Sequence, residues 1–233
     1  MVRKRAPMLR GAIVVVALSF GFVFAIETGG QGSDATKYEP AKAASTSDIA
    51  YPPQSRTPGM VTLDVSVDGS GAVQKLVAVR DVPPLTSAAE SAVNGWKFSP
   101  AMQGGQPVPG VVRVNVVFNP FNPGDVSIPN KPLPPTQTGG AISGVFQPPD
   151  VRTANYAVYP PNTVASGTVV LEVKIGPDGS AGFKVLRGAA VLSTAATKAI
   201  TSWVFVPGTY EGKATRSRMV VAFVFVSPAV GTM

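Results

Sequence analysis

The chain writes one pattern twice, and this internal repeat limits its fold more than any other feature. Tyr51-Pro52-Pro53 returns as Tyr159-Pro160-Pro161, an offset of 108 residues. At the same offset Gly59 matches Gly167, Val61 Val169, Leu63 Leu171, Val65 Val173 and Gly71 Gly179. One residue is then lost. At an offset of 107, Leu85 matches Leu192, Ala88-Ala89 Ala195-Ala196, Ala92 Ala199, Trp96 Trp203, Phe98 Phe205, Pro100 Pro207 and Phe118 Phe225. The two tryptophans of the chain therefore hold the same place in each copy. Any fold must be assembled from two like units.

Each copy reads as strand, turn, strand, helix, loop, strand. Val61, Leu63, Val65 and Val67 alternate with Thr62, Asp64 and Ser66, the period of a strand with one wet face. Val169, Leu171, Val173 and Ile175 repeat the phase. Asp68-Gly69-Ser70-Gly71 and Pro177-Asp178-Gly179 supply hairpin turns, because glycine tolerates positive φ. Second strands are expected near 73–80 and 181–187, and last strands near 111–118 and 218–226. Between them Leu85, Ala88, Ala89, Ala92 and Trp96 form a helical stripe, repeated by Leu192, Ala195, Ala196, Ala199 and Trp203. Ser87-Ala88-Ala89-Glu90 fits a capping box, and Pro100 and Pro207 prevent helix soon afterwards.

Composition removes much chemistry. With no histidine and no cysteine the chain cannot build Ser-His-Asp or Cys-His nucleophile systems, imidazole or thiolate metal sites, or disulfides. Paired carboxylates do not recur within both copies: Asp68 and Asp178 sit in turns, Glu90 at the helix start, Asp64 and Glu172 on polar strand faces. The Asp-Gly turns lack the oxygen-rich spacing of a calcium loop. The expectation is a protein that works by binding, with no catalytic residues, no metal and no cofactor. Of the net charge of +7, four positive charges belong to Arg3, Lys4, Arg5 and Arg10, so nucleic acid is not expected as a partner.

Those basic residues precede an uncharged apolar run over 11–26, the signature of an export signal or a signal anchor. Sixteen helical residues at ~1.5 Å each fall short of the ~30 Å hydrocarbon core. Val23-Phe24-Ala25 suits cleavage after Ala25, and an uncleaved, slightly thin anchor in the inner membrane is the other reading. The division expected is a signal peptide or anchor at 1–26, a polar tether at 27–50, a first domain at 51–119, a Pro-rich linker at 120–158 and a second domain at 159–227. Lys131-Pro132-Leu133-Pro134-Pro135 within that linker is read as a stiff spacer.

The repeated residues resemble the TonB carboxy-terminal domain family, the periplasmic end of the energy transducer of Gram-negative envelopes. The motif runs through Tyr51, Pro52, Gly59, Trp96, Phe98 and Pro100, and again through Tyr159, Pro160, Gly167, Trp203, Phe205 and Pro207. The resemblance implies an α+β fold of two tandem β-β-α-β domains, exported to the periplasm or cell envelope. It also implies that a last strand pairs with a segment of an envelope protein or outer-membrane transporter. The transducer's membrane helix carries a histidine that couples it to its motor; its absence here weighs against energy transduction.

The tryptophans are read as core plugs rather than stacking platforms. On the last strand Met219, Val221, Phe223 and Phe225 follow the core pattern, so Arg218, Val220, Ala222 and Val224 are the expected partner-binding edge. Arg216 and Arg218, with Lys213 nearby, either steer an acidic peptide or discourage edge-to-edge aggregation. A second reading pairs the two copies sheet to sheet as a closed pseudo-dimer scaffold with no free edge.

Overall fold

A computed structural model describes residues 38–53, 55, 58–119, 127–128, 145–161 and 163–227. The leader, the proposed cleavage site at Ala25 and the Lys131–Pro135 stretch lie outside the described residues. Copy one comprises β1 (Tyr38–Glu39), β2 (Lys42–Ser45), β3 (Gly59–Val67), β4 (Val73–Arg80), α1 (Leu85–Asn94), β5 (Lys97–Ser99), β6 (Ala101–Gln103), β7 (Gln106–Val108) and β8 (Gly110–Phe118). Between the copies lies β9 (Ser127–Ile128). Copy two comprises β10 (Phe146–Gln147), β11 (Asp150–Asn155), β12 (Gly167–Ile175), β13 (Ala181–Arg187), α2 (Ala190–Ile200), β14 (Val204–Val206), β15 (Thr209–Tyr210), β16 (Lys213–Ala214) and β17 (Ser217–Phe225). The long elements follow the order strand, strand, helix, strand, and the short strands add to that plan.

The two copies share one six-stranded sheet, ordered β13-β12-β17-β8-β3-β4. Within each copy the pairing is antiparallel, but β8 and β17 meet in parallel at the centre, Met219 opposite Arg113 through Val224 opposite Phe118. That parallel seam fixes the rest. Two like units joined through parallel last strands are related by a half-turn about an axis along the strands, and such a turn inverts the sheet of one unit. Copy one must then place its helix on one face and copy two on the other.

The register carries the same signature. Equivalent residues such as Val116 and Phe223 cannot stand side by side, because neighbours across a ladder point to one face. Phe223 sits instead beside Val117, and Val116 beside Ala222. The cores follow suit. Val220, Ala222, Val224 and Val170 of copy two join Val61, Leu63, Val65, Leu85, Trp96 and Phe118 of copy one. Met60 and Val117 of copy one join Leu171, Val173, Leu192, Trp203, Phe223 and Phe225 of copy two.

The face of β3 expected to be wet is therefore dry. Thr62 and Asp64 are fully buried, and Arg113 and Asn115 of β8 lie beside them. Asp64 accepts two hydrogen bonds of 2.8 Å from the Arg113 guanidinium, whose third bond goes to the Pro149 carbonyl at 3.2 Å. Thr62 donates to Asn115 Oδ1 at 2.8 Å, and Asn115 Nδ2 meets Met219 Sδ at 3.3 Å. Alternation marks two environments but does not say that the polar one is water.

The described end of the 27–50 tether and the end of the 120–158 linker are also folded. β1 and β2 pair with β6 and β5, as β10 and β11 pair with β15 and β14. Tyr38-Glu39-Pro40 precedes Phe146-Gln147-Pro148 by the same 108 residues, so the repeat begins thirteen residues ahead of Tyr51. Its upstream part lacks long strands, and only backbone pairing reveals it. Tyr38 and Phe146, equivalent in the repeat, meet with ring centroids 4.9 Å apart, and Tyr210 stacks on Tyr38 at 5.1 Å. Burial raises the Tyr38 phenol well above its ordinary pKa.

The capping box at Ser87 does not form. The helix starts at Leu85 after Pro84, without a side-chain cap. Thr86 Oγ1 instead accepts from the Val82 amide at 2.8 Å, holding the entering turn. Trp96 follows Gly95, outside the helix, and is buried beneath it. Among the described residues no helix is long and apolar enough to cross a membrane.

Candidate functional site

The residues expected to receive a partner strand lie at the centre of the sheet. β17 pairs with β12 along one side and with β8 along the other, so neither row of backbone groups is free. Val220, Ala222 and Val224 are buried in the copy-one core. Arg218 is half-buried and donates to Glu172 at 3.1 Å. As an open edge these four residues are corrected by the structure: β8 of the first copy occupies the place reserved for a partner. The reason is energetic as well as geometric, since an unpaired edge with valines on both faces is an aggregation hazard that mutual pairing removes.

The other motif residues build each unit. Tyr51 packs edge-on against Phe118 at 5.3 Å, and partial burial pushes its phenol up to about 12. Tyr159 donates to the Ala165 carbonyl at 2.8 Å. A side chain at Gly59 would press on Val82 and Leu85 at 3.1–3.2 Å, which explains glycine where the helix crosses the first strand. Trp203 Nε1 donates to the Asn155 carbonyl at 3.1 Å, whereas buried Trp96 Nε1 finds no acceptor among the described residues. Phe98 and Phe205 are buried beside these tryptophans, while Pro52, Pro100, Pro160 and Pro207 are half-buried at chain bends and Gly167 opens β12.

The turn aspartates spend their charge locally. Asp68 accepts from the Ser70 amide and hydroxyl at 2.8 and 2.6 Å, and Asp178 accepts the same pair from Ser180 at 3.0 and 2.6 Å. Those bonds hold both carboxyls below their ordinary pKa. Among the described residues no cluster of acids is arranged to hold a metal ion.

Between the copies, polar ties cross the seam. Thr168 Oγ1 accepts from the Ile49 amide at 2.8 Å, and Asn119 Oδ1 accepts from the Ala157 amide at 3.0 Å. Arg187 forms a close ion pair with Asp48 and holds the Asp48 carboxyl below its ordinary pKa.

Among the described residues no strand pairs with the outer side of β4 or β13, so the closed form with no free edge is also corrected. The two outer strands differ. In β4, Leu76 and Ala78 pack against the copy-one core. Their equivalents in β13, Phe183 opposite Val173 and Val185 opposite Leu171, are each 38 % exposed, and the whole of β13 is exposed. Beside β13 lies a cleft of about 290 Å³, bounded by Pro40, Lys174, Ser180, Gly182, Arg216 and Arg218. The basic residues near the last strand were legible in the sequence. Their assembly with the edge of the second strand was not, because Lys174, Gly182 and Arg218 share one row only through tertiary pairing.

Residues 48–120 and 156–226 match the family model described as Gram-negative bacterial TonB protein C-terminal. No curated protein and no solved structure matches the chain.

Proposed function

The chain belongs to the TonB C-terminal family, and we propose that it serves in the Gram-negative cell envelope as a protein-interaction module with a changed point of contact. Its two last strands are consumed by each other, and an extended segment of an envelope protein adds to the outer boundary of the joint sheet. Backbone hydrogen bonds supply the affinity of such addition and alternate side chains its selectivity. The observation that carries this reading is the parallel β8–β17 seam, which leaves β4 and β13 as the boundary strands.

The protein acts by binding and not by catalysis. The missing histidine weighs against a role in energy transduction. An outer-membrane transporter is one source of the added segment. The scaffold reading keeps its inter-copy half: ties such as Asn119 to Ala157 make the pair of copies one structural piece.

Amide hydrogen exchange on the full chain in non-ionic detergent tests the proposal. The slowest amides should fall in both 110–118 and 217–225, with 181–187 fast until a partner segment is added. Fast exchange along 217–225 in the free protein would reinstate the last strand as an open edge and end this reading.

A further inference from the structure

We infer that the β13 edge, rather than β4, is the docking strand, and that it selects an extended segment alternating acidic and apolar residues. This rests on the reading that partners add at the outer boundary of the sheet.

An incoming strand alternates its side chains between the two faces in step with β13. On the face shared with Arg218, the row Arg218–Lys174–Gly182 runs outward to the edge. Gly182 contributes no side chain, and a Cβ placed there would meet nothing within 4 Å. Lys174 therefore leans past it toward whatever stands next in the row, inside the cleft that Arg216 and Arg218 also border. Two residues further along, Lys184 faces the same way, opposite Glu172.

Arg218, Lys174 and Lys184 stand at this end of the face, with Arg216 beside them and Glu172, which Arg218 already holds at 3.1 Å, between them. Arg187, at the far end of β13, is paired with Asp48. Lys174, Lys184 and Arg216 have no carboxylate partner among the described residues. The opposite face of the same strand presents Phe183 and Val185, exposed and outside the copy-two core. A segment seated on this edge thus meets positive charge beside 182 and 184 and apolar surface beside 183 and 185. The complement is acid, apolar, acid, apolar. β4 offers no such pattern: Leu76 and Ala78 are already packed inward, and its other face carries Val77 opposite Asp64 where β13 has Lys184 opposite Glu172.

The test uses the full chain in non-ionic detergent and two synthetic twelve-residue fluorescent peptides, one alternating Glu and Val, the other alternating Lys and Val. The Glu peptide should bind at least tenfold more tightly, weaken as salt is raised, and slow exchange at 181–187. The double variant Lys174→Glu, Lys184→Glu, on exposed positions that leave the core intact, should reverse the order of the two peptides. Equal binding of both peptides with protection at 181–187 would overturn the acidic selectivity and leave edge addition standing. Protection at 73–80 instead would overturn the choice of strand. Protection at neither strand would overturn this inference together with the reading beneath it.

Discussion

Replacing Arg113 by leucine removes the partner of a carboxylate that water does not reach. Asp64 is fully buried and Arg113 is 3 % exposed, joined by two bonds of 2.8 Å. In the wild type the guanidinium also reaches the Pro149 carbonyl and approaches Asp150 at 3.8 Å, so it ties the back of copy one to the β11 segment of copy two. Breaking a buried pair by deleting one member costs about 3–5 kcal/mol, because the surviving charge loses its compensation. For a folded unit of this size each kcal/mol lowers Tm by about 2–4 °C, so the drop expected is roughly 6–20 °C. Removing both charges, as in Asp64→Leu with Arg113→Leu, deletes the desolvation penalty along with the attraction. That double variant should recover most of the loss and lie within about 2 kcal/mol of wild type. Urea unfolding of the four proteins of the cycle, monitored by tryptophan fluorescence at neutral pH, gives the coupling energy. A single variant that loses less than about 1 kcal/mol, or a double variant as unstable as the single, would refute the claim that uncompensated burial governs this site.

Three further outcomes follow from the same structure. Gly71→Ala should cost clearly more than Gly179→Ala: both have positive φ, but a Cβ at 71 would meet the Phe98 carbonyl oxygen at 2.4 Å, against 3.4 Å to Phe205 at 179; paired unfolding curves compare them. Trp203→Phe should lose about 1 kcal/mol more than Trp96→Phe, since among the described residues the indole of Trp203 has an acceptor and that of Trp96 has none, and the same curves read the difference. Asp48 has its folded pKa lowered by the Arg187 hydrogen bond. Its stabilisation should be present above the unfolded aspartate value and vanish as pH falls through the lower folded one. Because the pair is exposed, the effect should stay below about 1 kcal/mol and fade with salt; carboxylate NMR titration and Arg187→Gln check it.

Much of each unit was legible from residues alone. The second strands fall at 73–80 and 181–187 as the alternation and turns placed them, and the last strands run through 110–118 and 217–225. Turn residues and two-residue alternation act locally, so they survive transfer from sequence to structure. The start of the first helix did not: Ser87 and Glu90 fit a cap, yet the N-cap position falls at Pro84, three residues earlier, with Thr86 holding the entering turn. The strands at 38–45 and 146–155 were hidden too, because short backbone pairings carry no hydrophobic period.

The sequence by itself determined that two like units exist, which residues of each strand share a face, and that histidine and cysteine chemistry is closed to them. Tertiary structure alone decided which edges stay open. Arg218, Val220, Ala222 and Val224 have the pattern of an exposed edge when copy two is considered alone, and they become interior when β8 lies alongside. Alternation assigns a side chain to one of two faces, but what covers that face depends on strands more than a hundred residues away. The half-turn that joins the copies buries Asp64 and Thr62, occupies both last strands, and leaves β13 exposed at the sheet's rim.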